Sequence, residues 1–509
     1  MYTIENFFKT TERLISNGYI LAILGYAAVL ILVGWIVGSK VKSSSGFFVA
    51  GRKLGTGLLF STLIAANIGA GSTVGVAAIA YKSGVSAWWW IGSAGIGSMI
   101  LAFWVGPRIW KIACRYELFT LGDYLDRRYG AMFRGLFSLM MAVGTLALFS
   151  GQLLGIAWIL DVVADLPKEA GVIIGALVTT LYFAAGGLLS AAIVNLVEVL
   201  VILAGFIVAV PYVYAFSEGL SGLAQKIAQN LPDAGAQSLY FSFDGIGATV
   251  IIGYLVMLVP SFFISPGLIG KIFGARDERA IKLGTAWNGV VQLIFAAIPV
   301  FIGMAAFASF PSLTRADLAL PTAMKEMMPF GIATCALAAI FAAEVSTADA
   351  VLYMLSTSIS NDLCKTFLFP KISDKNMLRL LRCVTLLSGV TGVVFALFLD
   401  SVISALTIFY SLMSVSLAAP LLFGLYTKRA SEAGALLSSA CGVALTLFCT
   451  FYTASPSVNL FIGTLDTASH LVDFGFTKLN ATTCGILVTF VTMFFSIFVF
   501  PSKNADVDI

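Results

Sequence analysis

The sequence predicts an all-α polytopic membrane protein with about 13 transmembrane helices, and three observations carry that reading. Of 509 residues, 59% are apolar and only 11% charged, where a soluble domain carries about 25% charged residues. Apolar runs long enough to cross a bilayer recur along the whole chain. The basic residues gather in alternate connections, as membrane insertion requires. Thirty basic and 26 acidic residues cannot make the water-facing surface of a chain this long, which excludes a soluble enzyme, a nucleic-acid binder and a disordered regulator. The seven cysteines form no CxxC pair and no disulfide spacing, so they read as packing residues.

The runs fall at roughly 18–38, 55–81, 84–105, 132–160, 170–188, 190–216, 247–270, 284–309, 331–358, 378–399, 402–426, 433–453 and 483–501. The first 17 residues hold Glu5, Lys9, Glu12 and Arg13 without a compact apolar core or a small-residue cleavage site, so no removable signal peptide is expected. With the N-terminus outside and the C-terminus inside, 22 of the 30 Lys and Arg fall in inside connections. One missed helix would reverse every later loop, so this asymmetry independently supports the span count. The expected place is the cell (inner) membrane, with many passes.

Two spans are interrupted. The second contains LIAANIGAGSTVG (63–75), with Gly69, Gly71 and Gly75 around Ser72 and Thr73; the seventh contains VPSFFISPGLIG (259–270), with Pro260, Pro266 and Gly267 beside Ser261 and Ser265. In lipid, unwound backbone is tolerated only where protein or a water-filled cavity receives its polar groups. The breaks lie five spans apart, so spans 2–6 and 7–11 are expected to form an inverted repeat with broken helices 2 and 7. On that plan 1–509 is one transmembrane domain: an extra N-terminal helix at 18–38, a first repeat at 55–216, a second at 247–426 and C-terminal helices at 433–501.

Of the acidic residues, Glu198, Glu344 and Asp349 fall well inside apolar spans. An ionisable group there is expensive and marks a functional site by default. The bland alternative is a carboxyl that fastens helices together. Glu344 and Asp349 share the ninth span with Ser346 and Thr347, whose hydroxyls suit a hard cation such as sodium or bond back to the preceding turn.

These segments resemble the sodium:solute symporter family along nearly the whole chain. SGFFVAGRKLG (45–55), LIAANI (63–68), TLGDYLDRRYG (120–130), LYFAAGGLLSA (181–191), KIFGARDERA (271–280), AAIFAAEVSTADAVL (338–352) and LYTKRASEAGA (425–435) follow in the family's order. The resemblance implies a common sodium site made of the Ala65, Ile68 and Ala343 carbonyls with the Ser346 and Thr347 hydroxyls. In some members a second sodium is held by an Asp after the Gly-Gly signature and two serines of the ninth span; those positions are Asn195, Asp349 and Ala350 here. Asn195 and Asp349 are then either a displaced second cation site or an Asn–Asp hydrogen bond without an ion. Glu344 has no family equivalent, and binds a cationic or amine-bearing solute, carries a proton or pairs with neighbouring helices.

Departures from the sugar-transporting branch bear on the solute. Asn67 is kept, but the polar pair that follows in that branch is Gly71 and Ser72, and a glutamate expected in the third span is Ile91. Sugar hydroxyls need fixed polar partners, so a hexose is disfavoured. An aromatic cage for choline needs rings at the broken helices, where Asn67 and Ser265 stand. The candidate solute residues are Asn67, Gly71, Ser72, Trp90, Ser261, Ser265 and Glu344. The expected activity is sodium-coupled import of a small organic solute by alternating access, a carboxylate or amino acid first, by a monomer or loose oligomer, with Na+ as coupling ion and neither nucleic acid nor enzymatic chemistry. The alternatives are a sodium-independent uniporter or channel and a proton-coupled transporter.

Overall fold

The computed structural model describes residues 17–38, 48–184, 187–453, 455, 457–460, 463–475 and 477–502. Outside them lie the N-terminal charges Glu5, Lys9, Glu12 and Arg13, the basic positions Lys40, Lys42 and Lys503, the start of the 45–55 motif, and Ala185 and Gly186 of the Gly-Gly signature.

Helices occupy the predicted apolar runs, because a helix satisfies its own backbone and leaves apolar side chains for lipid or core. After α1 (Gly18–Gly38), the second run is split into α2 (Thr56–Asn67) and α3 (Val74–Ser83). The third forms α4 (Trp88–Ile100), which passes through a π-helical turn into α5 (Gly106–Arg115). A short helix, α6 (Leu121–Tyr129), precedes the long α7 (Ala131–Ala164), α8 (Lys168–Ala184) and α9 (Gly187–Phe216). Two short helices, α10 (Gly219–Asn230) and α11 (Ala234–Tyr240), lead to the seventh run. It is split into α12 (Ala248–Ile264) and α13 (Pro266–Phe273), followed by α14 (Glu278–Phe295) and α15 (Ala297–Ser309). The chain continues through α16 (Ala319–Glu326), α17 (Phe330–Thr357), α18 (Asp374–Phe398), α19 (Val402–Tyr426), α20 (Glu432–Phe451) and α21 (Ala481–Val499). Among the described residues, ten helical stretches are long and apolar enough to cross a membrane, and two shorter apolar helices, Gly18–Val33 and Thr56–Asn67, accompany them.

Polar N-caps begin several of these helices. The side chains of Asp277, Ser401, Ser431 and Asn480 accept from the backbone N–H three residues on, and Thr120 with Asp123 closes a reciprocal capping box on α6. Helix α17 runs through the middle of the bundle, buried from Ala339 to Asp349, and packs on α2, α7 and α9. The outer helices turn large apolar side chains outward, with Phe398 83% and Phe451 74% exposed, as a lipid-facing surface does. Close packing rests on small residues: a side chain at Gly442 of α20 would meet the Gly485 carbonyl of α21 at 2.8 Å, and the reverse substitution would do the same.

Three expectations are amended. The all-α reading misses a four-stranded antiparallel sheet between α20 and α21: β1 (Ser457–Leu460), β2 (Gly463–Asp466), β3 (Leu471–Asp473) and β4 (Lys478–Asn480). Its register places Leu465 opposite Val472 and Val472 opposite Leu479, and these side chains cover Cys449 and Cys484. Second, three basic residues counted as loop charges are buried: Arg128, Arg134 and Lys271 are 6%, 6% and 1% exposed. Third, α17 continues past its predicted end as a π-helix, Ser358–Leu368, which carries Asp362 into the interior at 3% exposure. Arg134 pairs there with Asp362 at 2.9 Å, Asp123 at 2.6 Å and Asp126 at 3.1 Å.

Candidate functional site

The site begins with a helix that cannot continue. At Ile68 the backbone leaves helical geometry (φ −100°, ψ 92°), and regular helix resumes only at Val74. The N–H of Gly69 turns to Ser72 Oγ at 2.9 Å, so the Ala65 carbonyl loses its helical donor. Ser72 N bonds Gly69 O instead, at 2.9 Å, so the Ile68 carbonyl loses its donor too. The freed N–H of Ala70 is taken by Gln152 Oε1 of α7 at 2.9 Å.

Helix α17 meets the released oxygen. Thr347 Oγ1 donates to Ala65 O at 2.9 Å, and Ser346 Oγ lies 3.1 Å from both Ala65 O and Ala343 O. Four of the five predicted ligand oxygens are thus linked in a chain through Ala65 O and Ser346 Oγ, and Ile68 stands at the break. The approach requires a glycine at 69, because a Cβ there would overlap Thr347 Oγ1. A hydroxyl that donates to a carbonyl presents its lone pairs elsewhere, so a hard cation entering this cluster needs only rotation of two O–H bonds.

A small cavity adjoins the break, lined by Asn67, Gly71, Ser72, Trp90, Gln152, Gln292, Thr347 and Tyr410 among others, with no charged side chain in its lining. Thr347 therefore belongs to both the oxygen cluster and the cavity wall. Trp90 packs edge-on against Tyr254 and Tyr410, with ring centroids 5.1 Å and 6.2 Å away. A second small cavity is lined by Ser261, Ser265, Gly267 and Met354, among others. The two share Ala66, Asn67, Leu148, Phe262 and Tyr410 in their linings.

Ser265 sits at the second break (φ −54°, ψ 124°), where Pro266 opens α13. Ser261 Oγ donates to Met257 O at 2.7 Å and pairs with Ser414 at 2.7 Å. Of the predicted solute residues, Asn67, Gly71, Ser72 and Trp90 line the first cavity and Asn67, Ser261 and Ser265 the second. Glu344 lines neither. It lies behind the break, packed on Gly155, with Oε1 accepting from Thr73 Oγ1 at 2.9 Å and Oε2 without a hydrogen-bond partner among the described residues.

That placement makes a prediction. Glu344→Gln keeps an acceptor for Thr73 and should leave the sodium response unchanged. Glu344→Ala should cost about 2–4 kcal/mol, from a lost hydrogen bond and the space left behind. Thermal unfolding in detergent, with and without sodium, reads both; a folded Gln variant that no longer responds to sodium would instead put the carboxylate's charge in the ion site.

Asn195, on α9, faces Thr62 of α2. With its oxygen facing Thr62 Oγ1 at 3.3 Å, its nitrogen donates to Ala191 O at 3.1 Å and Glu198 Oε2 at 2.9 Å. Asp349, 1% exposed, is on α17 two residues beyond Thr347. Sequence reasoning missed Gln152, Gln292 and Tyr410. The available signal for Gln152 is a lone amide in an apolar span, which needs a partner wherever it is buried.

The model of the sodium:solute symporter family matches residues 47–442. The sodium/pantothenate symporter of Escherichia coli is 28% identical over 81% of this chain and 87% of its own. The sodium/glucose cotransporter of Vibrio parahaemolyticus is 23% identical over 89% of each chain. A solved Na+-coupled sialic acid symporter, in a substrate-bound outward-open state, superposes with a TM-score of 0.77 at 17% identity, over 95% of this chain and 98% of that one. That likeness shows a shared fold, and with the family match over most of the sequence it establishes that the chain is a multi-pass membrane protein of the sodium:solute symporter family.

Proposed function

We propose that the protein is a sodium-coupled symporter that imports a small polar organic solute by alternating access. One observation carries the reading: the oxygens of Ala65, Ala343, Ser346 and Thr347 converge where α2 breaks against α17, and Thr347 also lines the cavity. Sodium bound there with Ile68 joins α2 to α17, so it favours the conformation in which the two helices touch. Coupling needs that difference, since a ligand with equal affinity for two states shifts neither.

The lining favours a carboxylate or amino acid. Trp90 and Gln152 each bring an N–H donor with no hydrogen-bond partner among the described contacts, while Trp90, Phe262 and Tyr410 offer apolar faces. No basic side chain lines the cavity, so an anionic group there draws its counter-charge from the sodium across Thr347. The breaks at 68–73 and 265 support an inverted repeat of 55–216 and 247–426, and the basic-residue asymmetry supports an N-terminus outside and a cytoplasmic C-terminus.

Thermal-shift screening of the purified protein against a panel of small carboxylates, amino acids, sugars and amines, with and without sodium, tests the reading. The expected result is a solute that raises the melting temperature only when sodium is present. Stabilisation independent of sodium would favour a uniporter or channel, and stabilisation that follows pH alone a proton-coupled carrier.

A further inference from the structure

Three basic residues stand on one face of one short helix. Arg108, Lys111 and Arg115 follow an i, i+3, i+7 spacing on α5. The opposite face holds the buried Ile109 and Ala113, and the helix packs on α13 and α14. With Trp104 and Tyr426, the three cations line an open pocket of about 490 Å³, inside the range of small-molecule sites, about 300–1,000 Å³. Arg108 lays its guanidinium over Tyr426, 4.5 Å from the ring centre, and its Nε is buried with no hydrogen-bond partner among the described residues. Lys111 bonds Glu278 at 2.8 Å, but that carboxylate also bonds Lys282 at 2.8 Å, so its one negative charge is divided between two cations.

The pocket lies where membrane-crossing helices end. The helical stretch Val74–Arg115 finishes with α5, and Tyr426 is the last residue of α19, its hydroxyl donating to the Trp104 carbonyl at 3.3 Å. One turn before the cations, Phe103 and Trp104 are 59% and 68% exposed. Rings placed so suit the boundary between acyl chains and water. Apolar rings on one side and incompletely neutralised cations on the other match the two parts of an anionic phospholipid, its chain and its phosphate. A free phosphate would use the same donors and leave the rings without a role.

We propose that Arg108, Lys111 and Arg115 bind the phosphate of an anionic phospholipid whose acyl chain lies along Phe103 and Trp104. The bound headgroup bridges α5 to the end of α19 beside Tyr426, and so ties the third predicted span to the eleventh. None of these residues lines the two cavities at the broken helices, and the inference stands whether or not the protein is coupled to sodium.

Thermal unfolding of the purified full chain in a neutral detergent, titrated with phosphatidylglycerol, phosphatidylcholine or inorganic phosphate, tests it. Phosphatidylglycerol should raise the melting temperature saturably, with a half-saturating concentration that increases with ionic strength; phosphatidylcholine and inorganic phosphate should not raise it. Arg108→Ala should increase the half-saturating phosphatidylglycerol concentration about tenfold or more, as the loss of a charge-assisted contact does. The reading is the rise above each variant's own lipid-free melting temperature, so a purely structural loss of the stack on Tyr426 leaves the half-saturating concentration unmoved. Lys111→Gln should increase it about fivefold; this side chain is 62% exposed, so its loss spares the core, and it decides the matter if Arg108→Ala does not fold. Equal stabilisation by phosphatidylcholine, or an unchanged half-saturating concentration in the folded variants, overturns the headgroup site. Stabilisation by inorganic phosphate equal to that by phosphatidylglycerol overturns the lipid as its ligand.

Discussion

Thr347→Ala is expected to raise the sodium concentration for half-maximal binding about ten- to a hundredfold, while Thr347→Ser stays within about threefold of the parent. The hydroxyl donates to Ala65 O at 2.9 Å and is 6% exposed. As a proposed ligand it is already positioned, so its loss should not be made good by water. Removing one polar partner of a charged group costs about 1.5–3 kcal/mol, and about 1.4 kcal/mol is a factor of ten in affinity. Ser346→Ala acts on the same oxygen cluster from 3.1 Å, and because the two hydroxyls share Ala65 O the double variant should lose sodium binding altogether. The rise in melting temperature with sodium gives the measurement, since it follows the ratio of ion concentration to Kd. Retained sodium stabilisation in the double variant would place the ion elsewhere.

Much of this site is legible in the sequence because its causes are local. Glycines at 69, 71 and 75 around Ser72 and Thr73 announce a break, and a break must release carbonyls. Ser346 and Thr347 sit at adjacent positions in a span already marked by two carboxylates. What the sequence hides depends on partners far along the chain. Gln152 takes the Ala70 N–H across 82 positions, and nothing in the apolar pattern of α7 shows which way its amide turns. Lys271 falls one residue beyond an apolar run and so reads as a loop charge, yet α13 continues to Phe273 inside the protein. Asp362 escapes for the same reason, because the predicted ninth span ends where the π-helix begins. Strands of three or four residues, such as Leu471–Asp473, are too short for alternation to stand out from a polar connection. Hydropathy thus locates membrane helices well and misjudges charges at their ends, where burial is decided by the neighbouring helix.

The buried network at Arg134 shows what such a misplaced charge is worth. Arg134→Ala should destabilise the protein by about 3–5 kcal/mol, the range for a buried ion pair that loses one partner. One Nη bonds both Asp123 and Asp362, and the other bonds Asp126. Asp123 also accepts the Phe119 and Thr120 N–H groups at the start of α6, and Asp362 accepts from Thr120 Oγ1 at 2.6 Å. Removing the guanidinium therefore leaves three carboxylates facing one another and loosens α6 from α7 and from the end of α17. Arg134→Lys keeps a charge but not the fork that reaches several acceptors at once, so it should recover only part of the loss. Adding Asp362→Asn to Arg134→Ala should also recover stability, because it removes the most deeply buried of the uncompensated charges. Thr347 and Asp362 are 15 residues apart on one continuous helix, about 22 Å at the usual rise, and effects at such separations add. The stabilisation that sodium confers on Arg134→Ala should then match the parent's within about twofold, measured by thermal unfolding across a sodium titration. A variant that loses stability and sodium affinity together would make this network part of the conformational equilibrium that the ion controls.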